Sequence, residues 1–467
     1  MIVLLLLPLL MGIGAGRRPA HEEPLTDAIM DPTAEKALAS STSAAPCEGG
    51  LAAGVFPCRG MTLLSFVPLS TLATGATSGS NLWGFRSRSD SREYALIGLD
   101  TGTAVVDVTD AIHPRLVGSV PGQLSRWREV KVFQRFEPAA ARWKAWAYVV
   151  TEASGGGLQI LDLSDLPRSV SLAATWRGFD TAHTLTLANV EPSTGEANQS
   201  DVAPVLYIQG FDKAADIDHA GILALDLGDP VSPVLLGSYR DSYAHDTWAG
   251  VLRGTRASAF CSGHDPCELV VNWAGWGIVI VDFTDKANPV VLSQYIYPGL
   301  GYAHSGSISA DGNHLFSTDE LDEERFGGNS RVRVIDISDL VRPAVVASWL
   351  GPTGAVDHNG YVVANRYFLS NYERGVTVLD VTDPLRPRDL AFLDVFPSAD
   401  ANELHGTWGV YPFLPSGTVL ASNIDGAGGL YLMRLSPDAA GEPPRDPIVR
   451  PARRSPTPRV DGPRPIP

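Results

Sequence analysis

Apolar residues in this chain are gathered into short blocks, and block after block is closed by the same polar signature. The segments GTAVVDVTD (102 to 110), GGLQILDLSD (156 to 165), AGILALDLGD (220 to 229), WGIVIVDFTD (276 to 285), SRVRVIDISD (330 to 339) and RGVTVLDVTD (374 to 383) are variants of one phrase, with a weaker copy at GGLYLMRLSP (428 to 437). Successive apolar positions without alternation describe a strand covered on both faces. The closing Asp-x-Ser/Thr-Asp supplies side-chain oxygens for nearby backbone amides, so Asp107, Asp162, Asp226, Asp282, Asp336 and Asp380 are expected to form turns. Most copies continue through a proline into another short strand, as in HPRLVGSV, SPVLLGSY, NPVVLSQY, RPAVVASW and RPRDLAFL. A repeat of this length is one four-stranded blade with variable loops. The expected fold is therefore all-β: a single β-propeller of about seven four-stranded blades. The seventh copy lacks its outer strand, and MTLLSFVPLS (61 to 70) has the matching character. Pairing this N-terminal strand with the last blade closes the ring and removes the sheet edges.

The strand opening each repeat carries the candidate chemistry. One slot presents a histidine in AHTLTL (His183), AHDTWA (His245), AHSGSI (His304), DHNGYV (His358) and LHGTWG (His405), half of the ten histidines in the chain. In the first two repeats the slot reads as Trp83 and Arg128. Innermost strands line a propeller's channel, and the loops joining second to third strands open on the same face. Those loops bring Glu152, Asp319, Glu320 and Tyr372 toward the mouth, and Asp246 and Asp357 adjoin slot histidines. With Arg128, these six are the candidate ligand-binding residues, and the five histidines are the candidate ligands of a divalent metal. Two other readings stay open: the histidines as repeated structural pins between blades, and a catalytic centre. The stretch DELDEE (319 to 324) is either a calcium-binding loop or a solvated one.

Composition narrows the function classes. The chain has 467 residues, 44% hydrophobic, with 46 Gly and 35 Pro, which suits short strands joined by many turns. A net charge of -16 opposes nucleic-acid binding and is easier to reconcile with a cation. Cys47 with Cys58 and Cys261 with Cys267 form two close pairs, read as disulfides of an oxidising compartment; a zinc site would show tighter spacing. The apolar run MIVLLLLPLLMGIGAG reads as a secretory signal over 1-20, although Arg17 and Arg18 follow the run instead of preceding it. Residues 21-45 read as a linker, 46-436 as the propeller and 437-467 as a disordered Pro- and Arg-rich tail.

The ordered string of motifs from CEGGLAAGVFPCRGMTLLSFVPL through WREVKV, VVTEASGGGLQILDLSDL, YAHDTW, GYAHSGSIS, DELDEE, VDHNGYV and LSNYERGVTVLDVTD to GTWGVYPFLPSGTVLASNIDGAGGLYLMRL resembles the choice-of-anchor B family of LVIVD-repeat surface proteins over about residues 47 to 435. The resemblance implies an extracellular or cell-surface β-propeller and names no ligand or reaction. The chain departs from that pattern after Leu435, where no sorting motif, hydrophobic tail helix or lipidation signal is seen, so both a secreted and a cell-surface location stay open as expectations. The leading expectation for function is an exported, monomeric, non-enzymatic propeller that binds an extracellular ligand or protein, without nucleic acid and without stable membrane insertion. The alternative is a metal-dependent hydrolase or oxidoreductase using the channel histidines, with Glu152 or Glu320 as general base. A structural adhesion module is the third reading.

Overall fold

Seven antiparallel sheets, each built around one four-stranded meander, account for nearly all regular structure in the computed structural model, which describes residues 43–425 and 428–440. The expected signal, most of the linker with His21, and the tail beyond residue 440 lie outside the described residues. Blade 1 runs through Gly79–Arg86, Glu93–Leu99, Gly102–Asp107 and Arg115–Pro121, from channel to rim. Blades 2 to 6 repeat this order, with inner strands beginning at Arg128, Thr184, Asp246, Ala303 and Gly360. In blade 7 the chain supplies Thr407–Tyr411, Val419–Asn423 and Gly429–Leu435, and the fourth strand is Met61–Pro68 from the N-terminus. That strand pairs antiparallel with the last one, Gly429 opposite Pro68 and Leu435 opposite Met61, so the ring closes through the expected strand.

The repeated phrase is the third strand of every blade. In blade 4, Ile278, Val279, Ile280 and Val281 are at most 1% exposed, as sandwiching between neighbouring sheets demands. Each such side chain contributes about 1.5–3 kcal/mol on burial. The aspartates that end the phrase do what their spacing suggested. The amides of Thr109, Ser164, Gly228, Thr284, Ser338 and Thr382 donate to the carboxylates of Asp107, Asp162, Asp226, Asp282, Asp336 and Asp380. One feature of the repeat had no signature in the residue pattern: all seven third-to-fourth strand pairs carry a register shift at the same place, after Val105, Ile160, Ala224, Ile280, Val334, Val378 and Leu432. Such bulges add local twist at the rim of each blade.

Around the channel, inner strands exchange hydroxyl bonds. Ser80 donates to the Arg128 carbonyl at 3.1 Å and Thr184 to that of His245 at 2.6 Å, and from the end of the second strand of blade 6 Ser370 donates to the Trp408 carbonyl at 2.9 Å.

Both cysteine pairs are disulfides, Cys47–Cys58 and Cys261–Cys267. The first spans the closing seam: Ala45 pairs with Leu63 on the edge of blade 7, while Cys58 pairs with Leu393 on the edge of blade 6. Among the described residues no helix is long and apolar enough to cross a membrane.

Candidate metal centre

The loops after the second strands and the starts of the inner strands meet at one end of the channel, where four of the five slot histidines form a continuous row. Ring centroids of His183 and His245, His245 and His304, and His304 and His358 are each 4.2 Å apart. All four are at most 7% exposed. His405 stands apart from the row: its Nδ1 meets Asp425 at 3.1 Å, its ring stacks on Phe396, and it is held above its ordinary pKa by the bond to Asp425. Trp83 also lies outside the slot, three positions past Ser80 along the same strand, where it packs under the Lys131 ammonium.

Second contacts fix how three of these rings are presented. A carbonyl oxygen can only accept, so the Nδ1 of His245 donates to the His304 carbonyl at 3.1 Å and that of His358 donates to the Trp408 carbonyl at 2.6 Å. The Nδ1 of His183 is bonded to the Glu152 carboxylate. Each contact places the proton on Nδ1 and turns the Nε2 lone pair inward, the arrangement by which outer partners orient metal-binding histidines. The consequence is visible between His183 and His245, whose Nε2 atoms approach to 2.7 Å. At that separation the two nitrogens share a proton, and a cation bound to either ring would displace that proton and draw the rings apart.

Glu320 completes the group. Its fully buried carboxylate lies 3.5 Å from His304 Nε2 and 3.6 Å from His358 Nε2, and it accepts a 2.7 Å hydrogen bond from the Tyr372 hydroxyl. One ligand atom each from His245, His304 and Glu320 lie within 4.8 Å of one another. Zinc held at 2.0–2.2 Å from each would draw them to about 3.4 Å apart, an adjustment within reach of side-chain rotation. Tyr372 itself has φ 31°, unusual for a bulky residue, and its carbonyl accepts from the amides of Gly375 and Thr407, which hold the turn against that strain. Burial and the neighbouring Glu320 push the Tyr372 pKa well up.

The other candidate residues take different places. Glu152 is bound by His183 and by Lys213 Nζ at 2.5 Å; burial alone would raise its pKa, but the contacts with His183 and Lys213 hold it well below the ordinary carboxylate range. Arg128 is buried at the channel wall, donating to the carbonyls of Leu99 and Gln123, and burial lowers its pKa to about 10. Asp246 points down the channel, accepting from Ser305 at 2.7 Å, with its pKa raised by burial. Beneath the row lies an ionic layer that the repeat pattern did not single out: Glu129 bonded to Lys131 and to Asn81. The only hint of it in the sequence is the alternation of charge in WREVKV. Asp319 faces away from the histidines, taking the hydroxyl of Tyr297 and the amides of Gly301 and Tyr302. Asp357 joins Asp322 and Glu323 in a separate acidic group. Cys261, Cys267 and Asp282 also lie close together, but the sulfurs are spent in the disulfide.

The cavity bounded by the histidines, Arg128, Asp246 and Trp408 measures about 30 Å³. That admits an ion with a water or two, whereas pockets for organic ligands run to about 300–1,000 Å³.

No family model matches the chain, and no curated protein matches it. Solved structures are similar in fold. Sqt1 of Saccharomyces cerevisiae aligns with a TM-score of 0.43 at 9% identity, covering 73% of this chain and 80% of that one. A protein from Lactobacillus plantarum gives 0.45 at 13%, covering 73% and 88%. A hypothetical selenium-binding protein from Sulfolobus tokodaii gives 0.45 at 13%, covering 78% and 91%.

Proposed function

We propose that this chain is an exported propeller of the choice-of-anchor B type that binds a divalent transition metal, zinc in the first instance, at the channel mouth, and uses that loaded mouth to engage an extracellular ligand or protein. His245, His304 and Glu320 are the ligands in this reading, with His183 and His358 flanking them. The observation that carries it is the presentation of the rings: the Nδ1 atoms of His183, His245 and His358 are each anchored on an oxygen, which aims Nε2 at the centre and leaves two Nε2 atoms 2.7 Å apart. Imidazole nitrogens with one carboxylate suit zinc and its neighbours in the first transition row. A purely structural pin accounts for the His183–His245 hydrogen bond but not for the carboxylate of Glu320 set beside the Nε2 atoms of both His304 and His358.

Binding is favoured over turnover. Glu152, one of the two bases considered for catalysis, is tied to His183 and Lys213 and held ionised far below neutral pH, a poor match for a general base working near pH 7. Glu320, the other, is engaged with Tyr372 and the metal ligands. The cavity also excludes an organic substrate of ordinary size. The two disulfides support an oxidising compartment, and the motif string supports the family assignment.

Elemental analysis of the purified protein, followed by zinc titration after chelation, tests this. About one zinc per chain is expected, lost in the His245→Ala/His304→Ala variant. Absence of zinc binding by the wild type, or unchanged metal content in the variant, would count against the site.

A further inference from the structure

A second group of buried acids has chemistry unlike that of the histidine row. Asp322 and Glu323 open the short helix Asp322–Phe326 after the second strand of blade 5, and Asp357 precedes the inner strand of blade 6. One ligand oxygen from each lies within 4.8 Å of the others, and the three residues are 6%, 2% and 0% exposed. Four of their carboxylate oxygens, Asp322 Oδ1, both of Glu323 and Asp357 Oδ1, accept no hydrogen bond although fully buried. The nearest cation is Arg333, which meets Asp322 Oδ2 at 2.7 Å and lies 3.8 Å from Asp319. Asp357 Oδ2 takes only the amide of Asp319, at 3.3 Å. Four carboxylates therefore share one guanidinium, and the oxygens pointing at one another have no donor among them.

We propose that Asp322, Glu323 and Asp357 form a calcium site that joins blade 5 to blade 6, separate from the histidine centre. An oxygen-only donor set selects a hard cation over zinc. The four oxygens without a partner supply the greater part of a calcium shell of six to eight ligands, whose flexible geometry tolerates backbone carbonyls or water in the remaining positions. Magnesium keeps several waters and is poorly served by a group this buried. Bound calcium also fixes the segment that carries Glu320 toward the histidines, two residues before Asp322.

The test is calcium binding by the full chain after chelation, read by equilibrium dialysis and by Tm. One calcium per chain is expected, with a saturable rise in Tm. The Glu323→Gln/Asp357→Asn variant should lose both responses and, without calcium, be at least as stable as the wild type, because repulsion is relieved. The His245→Ala/His304→Ala variant should keep both, which separates this site from the proposed zinc centre. As a measurement that needs no variant, terbium bound to the wild type should luminesce through nearby tyrosine, be displaced by calcium and persist with zinc. No calcium binding by the wild type at about 10 mM, above the range of extracellular calcium modules, or binding that survives in the Glu323→Gln/Asp357→Asn variant, overturns the proposal.

Discussion

The seam of the ring offers the sharpest test of the architecture. Replacing Cys47 and Cys58 together by alanine removes a cross-link between residues 11 apart in sequence. Loop-closure entropy for a loop of that length is worth about 3 kcal/mol at 25 °C. Alanine is the right replacement because Cys58 is 4% exposed among Phe56, Met61 and Leu393, where a serine hydroxyl would lack a partner. Unfolding entropy of about 2.1 cal/mol/K per residue over roughly 400 folded residues gives about 0.8 kcal/mol/K, so the expected fall in Tm is about 3–4 °C. The corresponding change at Cys261–Cys267, residues 6 apart, is about 2 kcal/mol. Urea unfolding of both double variants measures the stabilities, and hydrogen exchange locates the loss. Amides of Leu63 and Leu393, which pair with the two arms of the first loop, should lose protection in Cys47→Ala/Cys58→Ala and keep it in Cys261→Ala/Cys267→Ala. A seam variant as stable as the wild type, with Leu63 and Leu393 still protected, would refute the reading that this loop pins the ring shut.

Three other changes probe the site and its surroundings. Tyr372→Phe removes the 2.7 Å bond to Glu320 and should weaken zinc affinity about 10-fold or more, as loss of an outer partner commonly does; a titration showing unchanged affinity would remove Tyr372 from the site. Glu152→Gln should cost about 2 kcal/mol at pH 7 through loss of the contacts to His183 and Lys213. Because the Glu152 pKa is depressed on folding, that contribution is present above its unfolded value of 4.5 and is lost as pH falls, so wild type and variant should converge in acid. Asp394 behaves in the opposite sense. Burial raises its pKa from 3.8 to about 8, so the folded state holds the proton longer and wild-type stability should decline from about pH 4 to 8, a slope that Asp394→Asn should flatten in pH-dependent denaturation.

The repeat was legible because its physics is local. A third strand sandwiched between sheets shows an unbroken run such as Ile278–Val281, and the aspartate turn follows at fixed spacing. The ring closure was legible by subtraction, since Met61–Pro68 had no other partner of its kind. The site was legible only to the level of a shared end of the channel. That His183, His245, His304 and His358 touch in a row while His405 turns to Asp425 depends on loop geometry around blade 7, where Gly406 at φ 85° sits against the Tyr372 carbonyl. The division of labour between Asp319 and Glu320 was equally hidden. They are neighbours in sequence, and the alternation of side chains at the end of a strand sends one to the loop of Tyr297 and the other to the histidines. Lys213 carried no signal at all, coming from a long loop whose fold brings it to Glu152.

The measurement closest to the central claim is anomalous diffraction at the zinc edge from crystals of the full chain soaked in zinc. The account predicts a single strong peak at the channel mouth, about 2.0–2.2 Å from the nearest nitrogens of His245 and His304 and an oxygen of Glu320, absent from crystals of the His245→Ala/His304→Ala variant. A mouth without a peak at saturating zinc, with His183 and His245 still 2.7 Å apart, would show that a shared proton and not a metal joins these rings, and would contradict it.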